Sequence, residues 1–161
     1  MKKFKDHTLE EYLSRLSARE PVPGGGSAAA LSSALGAGLI AMVTRYSLGK
    51  GKPEAVETKF QTIIERADAI RASLLELVDL DAEAYLGVVA ARKLDTKAQR
   101  AASQKAAQVP RKICRLSFEA VELTPFVVEN GNPYLMSDIE VALELLLAGY
   151  HSALVMVKAN Q

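Results

Sequence analysis

Gly24-Gly25-Gly26-Ser27-Ala28-Ala29-Ala30-Leu31-Ser32-Ser33-Ala34-Leu35-Gly36-Ala37-Gly38-Leu39-Ile40-Ala41-Met42-Val43-Thr44 is the stretch on which the fold turns. It carries no charge and almost no bulk. Behind the glycines the reading is a helix from about Ser27 to Leu48 with no polar face beyond small serines, and a helix apolar all round is packed on most sides. Its small residues, Ala30, Ala34 and Gly38 on one line and Ser33, Ala37 and Ala41 on another, let neighbouring backbones come close. Charge is absent from Pro21 to Thr44, but prolines and glycines fill the first third. What remains is barely long enough to span a bilayer, so the expectation is a buried core helix and no membrane.

The whole chain agrees with that start. It has 161 residues, enough for a single domain over 1–161, with 25 Ala and 21 Leu against nine aromatics and no Trp. Ala and Leu favour helices, so the composition is all-α. Twenty basic and 19 acidic residues leave a net charge of +1, which offers no field for nucleic acid. One cysteine, Cys114, cannot form an internal disulfide, and with two histidines it makes a poor metal kit, so no metal is expected. The start, Met1 to His7, has no apolar run of a signal peptide behind it. The expected location is cytoplasmic.

Outward from the central segment, Thr8-Leu9-Glu10-Glu11 fits a capping box opening a short helix, with Leu9, Tyr12, Leu13 and Leu16 on one face. Gly49-Lys50-Gly51-Lys52 ends the central helix, and Pro53 suits the start of the next, which runs to about Lys93. A further helix spans about Thr96 to Gln108, with Pro110 expected to kink or break it and Pro125 to interrupt its continuation. Asn130-Gly131-Asn132-Pro133 is a stop signal. Ser137-Asp138-Ile139-Glu140 reads as a second capping box, with Ser137 as N-cap of a last helix reaching about Asn160. The expected architecture is a bundle-like array of five to six helices around two apolar central ones.

Three features exceed what packing requires. Gly24, Gly25, Gly26 and Ser27 stand before a helix, where backbone N–H groups and the macrodipole favour an anion. Equally, the glycines let the loop pass close to another helix. The second feature is Asp81. On the long third helix, Val56, Phe60, Ile63, Ala67, Ile70, Leu74 and Leu77 form one stripe whose next member is this carboxylate; Asp79 and Glu83 point elsewhere. A buried carboxylate must be paired or raise its pKa, as general bases do, although a structural ion pair satisfies the same pattern. The third is Ser137-Asp138, with Asn132 upstream; capping explains it, and so does a place at the mouth of a cavity. His7 reads as an exposed residue, His151 as solvated or interfacial, and Cys114 as core.

Together these motifs resemble the cyclodeaminase/cyclohydrolase family. The carriers are Pro21-x-Pro23-Gly24-Gly25-Gly26-Ser27-Ala28-Ala29-Ala30-Leu31, Gly49-Lys50, Leu77-Val78-Asp79-x-Asp81-Ala82-x-Ala84-Tyr85, Val109-Pro110, Gly131-Asn132 and Ser137-Asp138-x-x-Val141-Ala142, in that order from Thr8 to Asn160. The resemblance implies an all-α homodimer that binds a folate and needs no metal or redox cofactor. It either hydrolyses 5,10-methenyltetrahydrofolate to the 10-formyl form or deaminates 5-formiminotetrahydrofolate. In that setting Asp81 or Asp138 would hold the cationic one-carbon bridge and direct a water. Another carboxylate or Asn132 would accept from the pterin N–H groups, the glycine loop and Lys50 would receive tail carboxylates, and Ser137 is a further substrate-binding candidate. Relatives commonly continue into a further C-terminal helix, and have a longer connection around Leu94 to Arg100. They also tend to carry an Asn-Val-x-x-Asn element where this chain has Met156-Val157-Lys158-Ala159-Asn160. The alternative reading is a non-catalytic helical dimerisation or ligand-binding protein that keeps the fold.

Overall fold

The computed structural model describes residues 2–159, and Asn160 therefore lies outside the described residues. Helices α1 (Leu9–Ser17), α2 (Gly25–Ser47), α3 (Glu54–Ala91), α4 (Thr96–Val121), α5 (Thr124–Asn130) and α6 (Met136–Ala159) follow one another, with single 3-10 turns at Phe4–Asp6 and Pro133–Leu135. No strand occurs among the described residues, as the Ala and Leu excess implies. The four long helices run alternately up and down. The central α2 lies between α3 and α6, and α4 closes the array against those two.

The packing of α2 rests on its small residues. Ala30, Ala37, Ile40, Ala41 and Val43 are buried, as are Ser27, Ser33, Thr44 and Ser47. The buried hydroxyls do not stay orphaned: Thr44 donates to the Ile40 carbonyl at 2.7 Å and Ser47 to that of Val43 at 2.8 Å. Against α6 the approach is close on both sides. A Cβ on Gly36 would meet the Ala142 carbonyl at 2.8 Å, and one on Gly149 would meet that of Ala29 at 2.9 Å. The turn out of α2 needs Gly49 and Gly51 at positive φ, 68° and 72°, where other residues are strained.

Several sequence expectations need correction. α2 starts at Gly25, inside the glycine run, because nothing in Gly25 or Gly26 hinders helical backbone and Gly24 serves as N-cap. Pro110 does not break its helix. α4 continues through it, since the buried Pro110, Ile113 and Leu116 pack on one face and outweigh one missing backbone hydrogen bond. Ser137 is not an N-cap: the Pro133–Leu135 turn runs straight into α6 at Met136, and Asn132 caps that turn by accepting from the Tyr134 N–H at 3.1 Å. The Thr8–Glu11 capping box forms as read, yet on α1 only Tyr12 is fully buried while Leu9 and Leu13 are exposed. His7 is not exposed either, its side chain being only 10% accessible beneath the Phe4 ring.

Gly149→Ala tests the α2–α6 contact. Because a new methyl meets backbone atoms that cannot swing away, a loss of about 1–3 kcal/mol is expected in urea unfolding, as for overpacked cores. Gly87→Ala, with open space around its Cβ position, is the matched control and should be neutral or slightly stabilising.

Candidate active site

Asp81 and the glycine run, separate features in the sequence, are partners in space. Asp81 projects from α3 onto the first turn of α2, and its Oδ2 accepts the Ser27 N–H at 3.0 Å. The anion for which the helix N-terminus is built is thus the protein's own carboxylate. Gly26 makes the approach possible, because a Cβ there would overlap the Asp81 carboxylate. Burial pushes the Asp81 carboxyl above the usual carboxylate range, and the Ser27 N–H opposes only part of that rise.

Behind the pair, the Tyr12 hydroxyl and Ser27 Oγ lie 3.0 Å apart. Tyr12 is buried, which raises its own pKa and keeps it a neutral hydrogen-bonding group. Phe4 stacks edge-on against Tyr12, and the Phe4 N–H is held by Asp79 Oδ1 at 2.6 Å. Asp79 is thus the more buried of the two acids, 5% exposed. The sequence stripe put it on the other side of α3; that side is covered by the Phe4–Asp6 turn, 75 residues away in the chain.

In front of Asp81 lies a cleft of about 390 Å³ between the Pro21–Gly25 segment and α3. Pro21, Val22, Gly24 and Gly25 form one wall, and Ala84, Tyr85 and Val88 continue from Asp81 along the other. Arg92, Ala106 and Met156 complete it. Met156, at the first position of the Met156–Asn160 element, therefore reaches the site from α6, with its sulfur 3.6 Å from where a Cβ on Gly25 would stand. This arrangement offers a single carboxylate of raised pKa in a mostly apolar, partly water-accessible groove. Such a group suits proton transfer or pairing with a cationic reactant.

The structure brings Gly24, Gly25, Gly26, Ser27 and Asp81 together. It does not bring Lys50, Asn132, Ser137 and Asp138 to them. Lys50 and Asn132 line a second cleft, about 290 Å³, with Ser47, Lys52, Gly131 and Tyr134. It lies at the far end of α2, whose 23 residues span about 33 Å. There the Asn132 N–H donates to Ser47 Oγ at 2.9 Å. Asp138 is in the first turn of α6 beside this end. Cys114 is half-buried, bonded to the Tyr150 carbonyl at 3.6 Å, with its thiol pKa raised by burial, which makes it unreactive. His151 is exposed. Among the described residues no group of three His, Cys, Asp or Glu is placed to hold a metal.

Sequence reasoning missed Tyr12 and Arg92. Tyr12 carried a usable signal, a tyrosine on the buried face of a short helix, whose hydroxyl must find a partner. Arg92 carried none, since its place depends on where α3 ends.

Known proteins share this sequence pattern and this fold. The formiminotransferase-cyclodeaminase family matches residues 8–161. The chain is 36% identical, over 96% of its length and 79% of the relative's, to a methenyltetrahydrofolate cyclohydrolase of Methylorubrum extorquens. It is 30% identical over 96% of its length to the formimidoyltransferase-cyclodeaminase of Rattus norvegicus, of which it spans only 30%. Its fold matches the crystal structure of formiminotetrahydrofolate cyclodeaminase from Thermotoga maritima with a TM-score of 0.93 at 29% identity, covering 97% of this chain and 79% of that one.

Two predictions follow from the pairing of Asp81 with α2. A folded-state pKa above the unfolded one adds stability that is complete below the unfolded pKa and is lost as pH rises through the folded one. Asp81→Asn keeps an acceptor for Ser27 but cannot ionise. Its Tm relative to wild type should therefore rise from acid to neutral pH, a trend that thermal melts at several pH values would show. Gly26→Ala should displace the carboxylate from the Ser27 N–H and cost about 1–3 kcal/mol in denaturant unfolding. In the double variant with Asp81→Ala the cost should largely disappear, which a double-mutant cycle measures.

Proposed function

The chain belongs to the formiminotransferase-cyclodeaminase family, whose members are folate cyclodeaminase/cyclohydrolase enzymes, and from that premise we propose that it hydrolyses 5,10-methenyltetrahydrofolate to 10-formyltetrahydrofolate in the Asp81 cleft. The observation that carries the proposal is the Asp81 carboxylate, fixed by the Ser27 N–H at the inner end of a cleft that water can enter. The methenyl bridge is an amidinium-like cation. A carboxylate beside it both favours its binding and takes a proton from the attacking water as oxygen bonds to the bridge carbon. In the neutral adduct, the hydroxyl proton leaves as the C=O forms, the carbon–N5 bond breaks, and Asp81 delivers a proton to N5. One proton is released overall. The 36% identity to a cyclohydrolase of which the chain spans 79% supports water rather than ammonia as the partner at this carbon. No metal or redox step is needed for this chemistry.

The working unit we propose is a cytoplasmic homodimer. An apolar surface remains on the outside of α2 and α6, with Leu35 54%, Tyr46 61% and Val141 51% exposed. The apolar α6 is buried along much less of its length than the equally apolar α2. A two-fold axis through the middle of that surface would set the N-terminal end of one α2 beside the C-terminal end of its mate. Asn132 of the partner subunit and Asp138 of the partner subunit would then close the Asp81 cleft at its pterin end.

Loss of methenyltetrahydrofolate absorbance with purified protein tests the activity. Turnover well above the spontaneous rate is expected, with Asp81→Asn lowering kcat by about 10²-fold or more. The wild-type profile should rise with pH through an ionisation above the usual aspartate value, because the base must be deprotonated. No catalysis above background would sink the hydrolase proposal, and ammonia released from 5-formiminotetrahydrofolate would replace it with the deaminase. The dimer has its own test. Asp81→Asn and Asp138→Asn homodimers should each be impaired, and mixing them should restore part of the activity; no restoration counts against a shared site.

A further inference from the structure

We infer that Arg92 reads the carboxylate end of the substrate, so that the cleft recognises a pterin cofactor by its amino-acid tail as well as by its cationic bridge. This deepens the folate reading above and rests on it.

Asp81, Ala84, Tyr85, Val88 and Arg92 follow one another on a single face of α3, at spacings of three, four, seven and eleven residues from the carboxylate. The cleft wall is therefore ordered: a carboxylate, an aromatic and apolar stretch, then a guanidinium. The proposed substrate has the complementary order, with a cationic bridge, an aminobenzoyl ring and an anionic glutamate. The lengths also agree. Eleven residues of helix place the two α-carbons about 16 Å apart. The ring and its glutamate are roughly three residue lengths of extended chain, or about 10 Å. The remaining gap is spanned by the two side chains, and helical side chains lean towards the N-terminus, so Arg92 leans back over the groove.

Arg92 is available for this. Its guanidinium makes no ion pair among the described residues, although nine such pairs form elsewhere. Its backbone is nevertheless held. The Arg92 N–H donates to the Val89 carbonyl at 3.3 Å, and its carbonyl accepts from Gln99 Nε2 at 3.4 Å. Asp95 caps α4 through the Ala98 N–H at 2.8 Å, which fixes the turn that follows. Arginine suits a terminal carboxylate because its planar fork donates two parallel hydrogen bonds to the two carboxylate oxygens. The other cations named from the sequence do not compete within the subunit, since Lys50 and Lys52 line the cleft at the far end of α2. The glycine run suits a tail carboxylate less well, because Asp81, itself a carboxylate, already sits on its Ser27 N–H.

The experiment compares 5,10-methenyltetrahydrofolate with the same compound lacking its glutamate, on wild type, Arg92→Ala and Arg92→Lys. Wild type should prefer the glutamylated substrate. Arg92→Ala should raise its KM by about 10-fold, the size expected of a charge-assisted hydrogen bond to an exposed guanidinium, with kcat little changed. It should leave the KM of the tail-less substrate alone, and Arg92→Lys should restore part of the preference. Equal losses on both substrates, or no loss on either, overturn the inference. Calorimetry with p-aminobenzoylglutamate as probe separates this from failure of the catalytic reading. Binding by wild type that Arg92→Ala loses supports Arg92 even without turnover. Equal or absent binding by both proteins, in an enzyme without turnover, overturns it.

Discussion

The contact between the Asp81 carboxylate and the first turn of α2 constrains more of this molecule than any other. A carboxylate taken from water needs compensation, and the start of a long helix supplies it through a free N–H and the dipole behind it. For α3 to bring the acid that close, α2 must begin without side chains. Glycine at 26 follows from that requirement. The same lack of bulk runs along α2, where Gly36 and, from α6, Gly149 bring the two backbones together. A helix so sparsely furnished is apolar on all sides, so it must sit in the centre. The other three long helices are arranged around it for that reason.

The contact is also a compromise. Desolvation outweighs the Ser27 hydrogen bond and keeps the Asp81 pKa raised, so the ionised form is a cost to the fold at neutral pH. Tyr12 and Phe4 deepen that cost by sealing the back of the site, since both are buried and neither brings a positive charge. In the proposed reaction, a cationic bridge in front of the carboxylate would supply the charge that the fold withholds. Binding energy and reactivity therefore have a common origin in an acid that the protein leaves incompletely satisfied.

What was legible in the sequence was whatever depends on local spacing or on composition. The all-α class, the turn at Gly49–Lys52 and the Thr8–Glu11 box are of that kind, and each forms as read. The stripe along α3 singled out Asp81 because one polar residue interrupts an apolar period. The errors come from contacts distant in the chain. Asp79 was read on the side of α3 away from the stripe, and that side is covered by the Phe4–Asp6 turn; Pro110 looked like a kink or break, yet α4 continues through it with its buried face packed. Likewise, the glycine run and Asp81 were read as two features because 54 residues separate Asp81 from Ser27. Lys50 and Asn132 are neighbours in space, as a shared role would require, but one helix length from Asp81.

That separation of about 33 Å is a geometric fact about α2, and it restricts how the recognition elements can cooperate. Side chains at opposite ends of one rigid helix cannot converge by local motion, because the helix would have to break. They converge only if a second copy of α2 runs the other way beside it. The exposed Leu35 and Tyr46 on α2 and Val141 on α6 give such a helix an apolar surface to meet. Within one subunit the ordered wall from Asp81 to Arg92 already supplies both charges that a zwitterionic substrate needs. On the proposed reading, the far end of α2 is therefore not required for the bridge or the tail. In the proposed dimer, what it would add, with Asn132 and its hydrogen-bonding groups, is recognition of the uncharged remainder, the heterocycle that neither charge can distinguish.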